Sequence, residues 1–220
     1  TGHGRGDVLR LLLTYAGVDY EDKHYTVEEW NNLKKSGKFP YPEMPIFEYE
    51  GRVLNQTRAI VQYICSQKEW MPSTPEDVYL DNWYWDTVEE LLLTFYEEYI
   101  LGPTAEIRVE GKEKLLKTKI PITLKLLEKK FMETGDGERD YLVKDGLTPA
   151  TFNLVSFMII LFYGKFNQAE FNPDLFETHA PNLKNFVEAK KMGEFLSYFG
   201  DESKRRNYPL QKNLSLKIVF

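Results

Sequence analysis

Three groups of residues in this chain have types and spacing that could do chemistry on a small ligand. The first is a proline at the head of an apolar run, Glu43-Met44-Pro45-Ile46-Phe47. Proline cannot donate to a strand ladder, so here it marks an edge or a special turn, with a cis peptide before it as one option. The backbone of Met44 is then left facing outward, free to pair with an extended ligand. The second group is Gln56-Thr57 at the mouth of a helical run, where unpaired N–H groups and the positive dipole end suit a carboxylate. The third is Arg5, between Gly4 and Gly6 at a helix start. The first two together describe a site for a small peptide with an acidic end, and Arg5 makes an anion-friendly corner. Each also has an ordinary alternative: Gln56 and Thr57 as a plain helix cap, Arg5 as half of a surface ion pair with Asp7 or Asp22. His3, His24 and His179 lack metal-ligand spacing, so no metal site is expected, and Cys65 lies on an apolar helix face as a structural residue.

The elements that must hold these residues follow from periodicity. Residues 5–16 set Val8, Leu11, Leu12 and Tyr15 at helical spacing, with Gly17 as C-cap. Residues 18–25 suit a strand, and Thr26 with Glu29 makes a capping box for a helix running to about Lys35. Residues 45–49 and 53–55 form a hairpin around Glu50-Gly51, and residues 57–67 form a helix with Ile60, Tyr63 and Ile64 on its apolar face. Trp70 to Pro75 reads as a stiff linker, with Thr74 as cap and Pro75 at the first helical position. Beyond it no strand is expected. Helices are predicted over 77–101, over 113–133 with a kink at Pro121, over 152–163 after Thr148-Pro149, over 181–190 and over 193–198. The tail 201–220 is charged and then apolar at Leu214, Leu216, Ile218 and Val219, and receives no assignment. The organisation is a small α/β domain over 1–69, a linker over 70–75 and an all-helical domain over 76–220.

Composition excludes several classes of function. Twenty-eight basic against 34 acidic residues give a net charge of -6, which disfavours nucleic-acid and membrane-surface binding. No apolar run approaches the ~20 residues needed to span a bilayer. A single cysteine excludes an internal disulfide and points to a reducing compartment, with cytoplasm the expectation. Thr1 is not an initiator methionine and leads straight into a helix, so a further segment upstream is expected.

A proline-led hairpin in a small α/β module, followed by an all-helical domain, resembles the cytosolic glutathione transferases of the alpha/mu/pi/sigma branch, closest to the sigma-like members. The segment G-R-G-D-V-L-R-L-L-L-T-Y-A-G-V-D-Y-E-D is similar to that family's first helix and second strand, and E-E-W-N-N-L-K-K-S-G-K-F-P to its second helix and loop. E-M-P and L-N-Q-T-R-A-I complete the match. The resemblance implies a thioredoxin-like first domain whose first strand is missing from this sequence. It implies that Trp30 and Lys34 hold the glycine carboxylate of glutathione, and that Met44, beside Pro45, pairs its backbone with the cysteinyl unit. Gln56 and Thr57 would take the γ-glutamyl carboxylate, with Thr57 where the family more often has serine. Glu90 would reach the glutamyl ammonium across a homodimer, while Glu43 stands where glutamine or lysine is usual. Out of that context Trp30 and Lys34 are a packed aromatic and a solvated lysine, and Glu90 is a solvated helix residue.

The implied chemistry is attack of the glutathione thiolate on a hydrophobic electrophile. A free thiol has a pKa of ~8.5, and each unit of depression takes about 1.4 kcal/mol of differential stabilisation. In the family a tyrosine at the end of the first strand supplies part of this, and its position would precede Thr1. Arg5 matches the supporting arginine. Phe95, Tyr96 and Tyr99 are candidates for the electrophile's side of the site or for core, and Trp83, Tyr84 and Trp85 read as core and dimer contact. Two other functions fit the same sequence: an isomerase of the prostaglandin D synthase kind, and a non-catalytic glutathione-binding or crystallin-like relative. Thr148 followed by Thr151, where the family has aspartate at the second position, is expected to cost stability of the central helix.

Overall fold

The computed structural model describes residues 4–39, 41–134, 140–144, 146–163, 171, 174–189 and 217–219. Contacts divide the chain into two compact units: Thr1–Glu69 with Asp201–Phe220, and Trp70–Gly200.

The first unit is a four-stranded sheet with three helices. Helix α1, Asp7–Tyr15, buries Val8, Leu9, Leu11, Leu12 and Leu13. It ends at Gly17, whose φ of +62° is open to glycine at no steric cost. Strand β1, Glu21–Lys23, is shorter than the run predicted for it. Helix α2, Val27–Lys35, opens on the expected capping box: Thr26 accepts from the Glu29 N–H at 3.2 Å, and Glu29 accepts from the Thr26 N–H at 2.7 Å. Strands β2, Ile46–Tyr49, and β3, Arg52–Leu54, form the hairpin, with Phe47 opposite Leu54. Glu50 and Gly51 both have positive φ, 47° and 77°, as a tight two-residue turn between right-twisted strands requires. Helix α3, Thr57–Gln67, follows and packs on α1, burying Ile60, Val61, Ile64 and Cys65.

The fourth strand corrects two expectations. Lys217–Val219, here β4, lies in the tail that received no assignment, beyond the point after which no strand was predicted. The sheet order is β1-β4-β2-β3, so β4 fills an interior place, where the resemblance implied a missing strand. It runs parallel to β1 and antiparallel to β2. The tail therefore groups with the α/β unit and not with the helices. A three-residue strand is too short to announce itself by alternation.

Among the described residues the second unit is built from helices, with one isolated bridge between Val143 and Gly146. The helices are α4, Pro75–Thr94; α5, Ala105–Lys114; α6, Ile120–Thr134; α7, Pro149–Met158; α8, Asp174–His179; and α9, Pro181–Glu188. Thr74 caps α4 as expected, accepting from the Asp77 N–H at 3.1 Å, with Pro75 in the first turn. Three π turns, Phe95–Ile100, Leu115–Lys119 and Ile159–Tyr163, continue α4, link α5 to α6, and continue α7. The helix predicted from 113 starts earlier, at Ala105, because Thr104 caps it. Helix α8 was not anticipated. The helix predicted over 193–198 lies outside the described residues. All ten residues of α7 are buried, which makes it the centre of this unit.

Candidate functional site

The hairpin mouth is where the first unit brings its candidate residues together. Buried Pro45 precedes β2 and follows Met44 through a cis peptide bond, while Met44 itself is 43% exposed. Continuing the Phe47–Leu54 register by two residues sets Pro45 level with Gln56. Gln56 is exposed with φ of +69°, a conformation that turns the chain from β3 into α3. Its side chain makes no capping bond, so the first-turn N–H groups of α3 are not closed by the residue in front of them. Ile60 returns the first intrahelical bond to the Gln56 carbonyl at 3.0 Å. Thr57 is partly buried as the first residue of the helix.

Trp30 joins this region through packing. It is half-buried against a small core formed by Phe39 and Ile46, together with Tyr25 and Leu33, and its ring lies 6.0 Å from that of Phe39. Ile46 is the residue after Pro45, so α2 and the hairpin mouth share one apolar cluster. Lys34, one turn after Trp30, is exposed. Glu43 is exposed and its N–H donates to the Tyr41 carbonyl at 2.9 Å. The arrangement is an exposed Met44 ahead of a buried proline, a cation and an indole on α2, and a helix α3 whose N-terminus has no side-chain cap. Chemically, it can bind an extended ligand with an anion at each end.

Arg5 stands exposed just before α1. The two carboxylates considered as its partners, Asp7 and Asp22, both bind Arg10, a residue the sequence reading passed over. Arg10 is buried; its Nη1 donates to Asp7 Oδ1 at 2.6 Å, its Nε to Asp22 Oδ2 at 3.0 Å and its Nη2 to Asp22 Oδ1 at 3.3 Å. His24 Nε2 lies 3.2 Å from Asp22 Oδ2, and the Gly4 N–H donates to Asp7 Oδ2 at 3.0 Å. Burial pushes the Arg10 guanidinium down, but the charges of Asp7 and Asp22 outweigh this and hold it above its ordinary value. For Asp22, burial pushes the carboxyl up, and the bonds from His24 and Arg10 override it, leaving it below the usual carboxylate range. The network ties the loop before α1 to β1. Its one sequence signal was the Asp7–Arg10 spacing on an otherwise apolar helix face.

Glu90 lies in the second unit, exposed on α4. Phe95 is core: it is buried, with ring centroids of Tyr96, Tyr99, Phe157 and Phe171 between 5.5 and 6.3 Å away. Tyr96 and Tyr99 are partly exposed in the π turn after α4. Tyr84 and Trp85 are fully buried, and Trp83 is partly buried with Lys130 Nζ 5.3 Å from its ring. Among the described residues no cluster of His, Cys, Asp or Glu could hold a metal, and no helix is long and apolar enough to cross a membrane.

A family model described as the N-terminal domain of glutathione S-transferase matches residues 2–66. The chain is 30% identical to glutathione S-transferase A1 of Mus musculus over 203 residues, which is 84% of this chain and 83% of that one. It is 31% identical to glutathione S-transferase alpha-2 of Rattus norvegicus, over 83% of this chain and 77% of the other. Hematopoietic prostaglandin D synthase of Gallus gallus is 29% identical over 68% of this chain and 70% of its own. A solved structure of rat hPGDS complexed with a quinoline superposes with a TM-score of 0.73 over 92% of this chain and 95% of that one, at 20% identity, a likeness of fold.

Proposed function

The chain belongs to the glutathione S-transferase family, and on that footing we propose that it binds glutathione at the hairpin mouth and transfers its sulfur to hydrophobic electrophiles. The observation that carries the reading is the hairpin mouth itself: an exposed Met44 stands just ahead of Pro45, which the hairpin register sets level with Gln56 and the uncapped start of α3. The Met44 backbone pairs with the cysteinyl unit, and buried Pro45 fixes the direction of approach. The γ-glutamyl carboxylate binds at Gln56, the Thr57 hydroxyl and the first N–H groups of α3. The glycine carboxylate binds Trp30 Nε1 and Lys34 Nζ. Glu90, contributed across a homodimer, meets the glutamyl ammonium. No metal takes part.

The thiol then has to ionise near neutral pH. Arg5 and the N-terminal end of α1 place positive charge beside it, which favours the thiolate. The compartment is the cytoplasm, where reduced glutathione is plentiful and the lone Cys65 stays a thiol.

Isothermal titration with glutathione checks the site. The parent chain is expected to bind, and Lys34→Ala to weaken binding roughly tenfold, the scale of one charge-assisted hydrogen bond. Absence of binding by the parent overturns the assignment. Binding without conjugation of a chloronitrobenzene would instead make the protein a glutathione-binding scaffold. A second reading, isomerisation of a prostaglandin endoperoxide by the same thiolate, is favoured by the relatives of Gallus gallus and Homo sapiens that carry the name hematopoietic prostaglandin D synthase. Product analysis on the endoperoxide separates it from simple conjugation.

A further inference from the structure

The interior strand of the first unit comes from the far end of the chain, and its register runs into the hairpin mouth. Lys217 stands opposite Glu21 on β1 and Glu48 on β2, Ile218 opposite Asp22 and Phe47, and Val219 opposite Lys23 and Ile46. Without β4, β1 has no partner in the sheet, and β2 keeps only β3. The last pair of the register falls on Ile46, the residue that follows Pro45 and belongs to the cluster holding Trp30.

We propose that Lys217–Val219 is a working part of the ligand-binding unit: seated between β1 and β2, it fixes the head of β2 so that Met44 presents its backbone to glutathione. The proposal rests on the glutathione site described above and adds to it a positioning element from a segment remote in sequence. The mechanism is geometric. A strand flanked on both sides ties β1, which carries Asp22 and so the Arg10 network, to β2, which carries the platform. Both edges of the site are then referred to one frame. Lose β4 and the open faces of β1 and β2 become unpaired donors and acceptors, and the platform is left on a two-stranded hairpin, marginal in water.

The experiment uses the full chain. Ile218→Pro removes an N–H from a strand that is bonded on both sides, so glutathione affinity should fall at least ~tenfold, while Ile218→Val should stay within about twofold. Hydrogen exchange at the α7 amides should be unchanged by either, which localises the loss to the first unit. Ile218→Pro binding like the parent overturns the proposal. Should Ile218→Pro instead lose α7 protection as well, the decision passes to a Glu48→Cys, Lys217→Cys pair treated with a short thiol cross-linker. An intramolecular link with glutathione affinity retained supports the seating. A link only between copies, no link at all, or a link that leaves affinity lost overturns it. A parent chain that forms no complex with glutathione while the intramolecular link still forms overturns the function and leaves the strand in place, so the two failures are distinguishable.

Discussion

Arg10 is the residue on which the polar interior of the first unit closes. Two carboxylates, one a turn earlier on α1 and one on β1, share a single buried guanidinium. Removing the cation leaves both anions in a low-dielectric interior, and for such pairs the loss of one partner costs about 3–5 kcal/mol. Arg10→Met should therefore lower the opening free energy of the first unit by an amount of that order at pH 6, as read from hydrogen exchange at α1 and β1. The dependence on acid carries a sign. Asp22 titrates below its ordinary value in the folded chain, so the stability it contributes is present above a pH of about 3.8 and is lost as pH falls below it. The parent should lose stability on going from pH 6 to pH 3. The Arg10→Met variant should lose less, because protonation relieves its unpaired carboxylates. Half of this network was legible in the sequence. Asp7 and Arg10 are three apart on an apolar face, the spacing of a helical ion pair. Asp22 was not, because nothing local says that a short strand will bring its carboxylate under the helix.

At the scale of elements, the start of α7 shows how a local defect is offset from a distance. Thr148 and Thr151 were expected to cost this helix stability; the pair does close a capping box, with the Thr148 N–H donating to Thr151 Oγ1 at a long 3.4 Å. The charge missing from that box is supplied by α4: Asp81, itself buried, accepts from the Ala150 N–H at 2.8 Å. The same device recurs at α9, where the Asn182 and Leu183 N–H groups donate to the two oxygens of Glu128 on α6, at 3.1 and 2.9 Å. An anion on first-turn donors suits the dipole as well as the hydrogen-bond count. Asp81→Ala should cost about 1–2 kcal/mol, the upper range for loss of a cap, with exchange accelerated first at the start of α7. Thermal unfolding that leaves Asp81→Ala equal to the parent would show that Thr151 suffices. Helix interiors were readable because burial repeats with the turn of the helix. Caps drawn from other helices were not, since their partners are nearly seventy positions away for Asp81 and over fifty for Glu128. The π turns were missed for a related reason: a shift of one hydrogen-bond register needs no particular residue to mark it.

For the molecule as a whole, the sequence yielded the α/β unit, the helical unit and the Thr74-Pro75 start of the second, because capping and apolar periods are local. It misassigned the tail, because the pairing of β4 is settled by strands at the opposite end of the chain. The exposed apolar side chains of the second unit include Val78, Tyr79 and Leu93 on α4 and Ile107 and Val109 on α5. That much apolar surface on two successive helices fits burial against a second copy. Sedimentation at micromolar concentration should give twice 25.9 kDa, and a mass of 25.9 kDa would remove Glu90 from the site along with the dimer.

The place of β4 also sets an order of events in the cell. A ribosome releases Met44, Gln56 and Thr57 first, but the strand that completes their sheet follows every described helix of the second unit. Until β4 arrives, the sheet of the unit encoded ahead of it keeps an open seam between β1 and β2. That interval is when a chaperone, or the tail of a neighbouring nascent chain on the same message, would find the seam available.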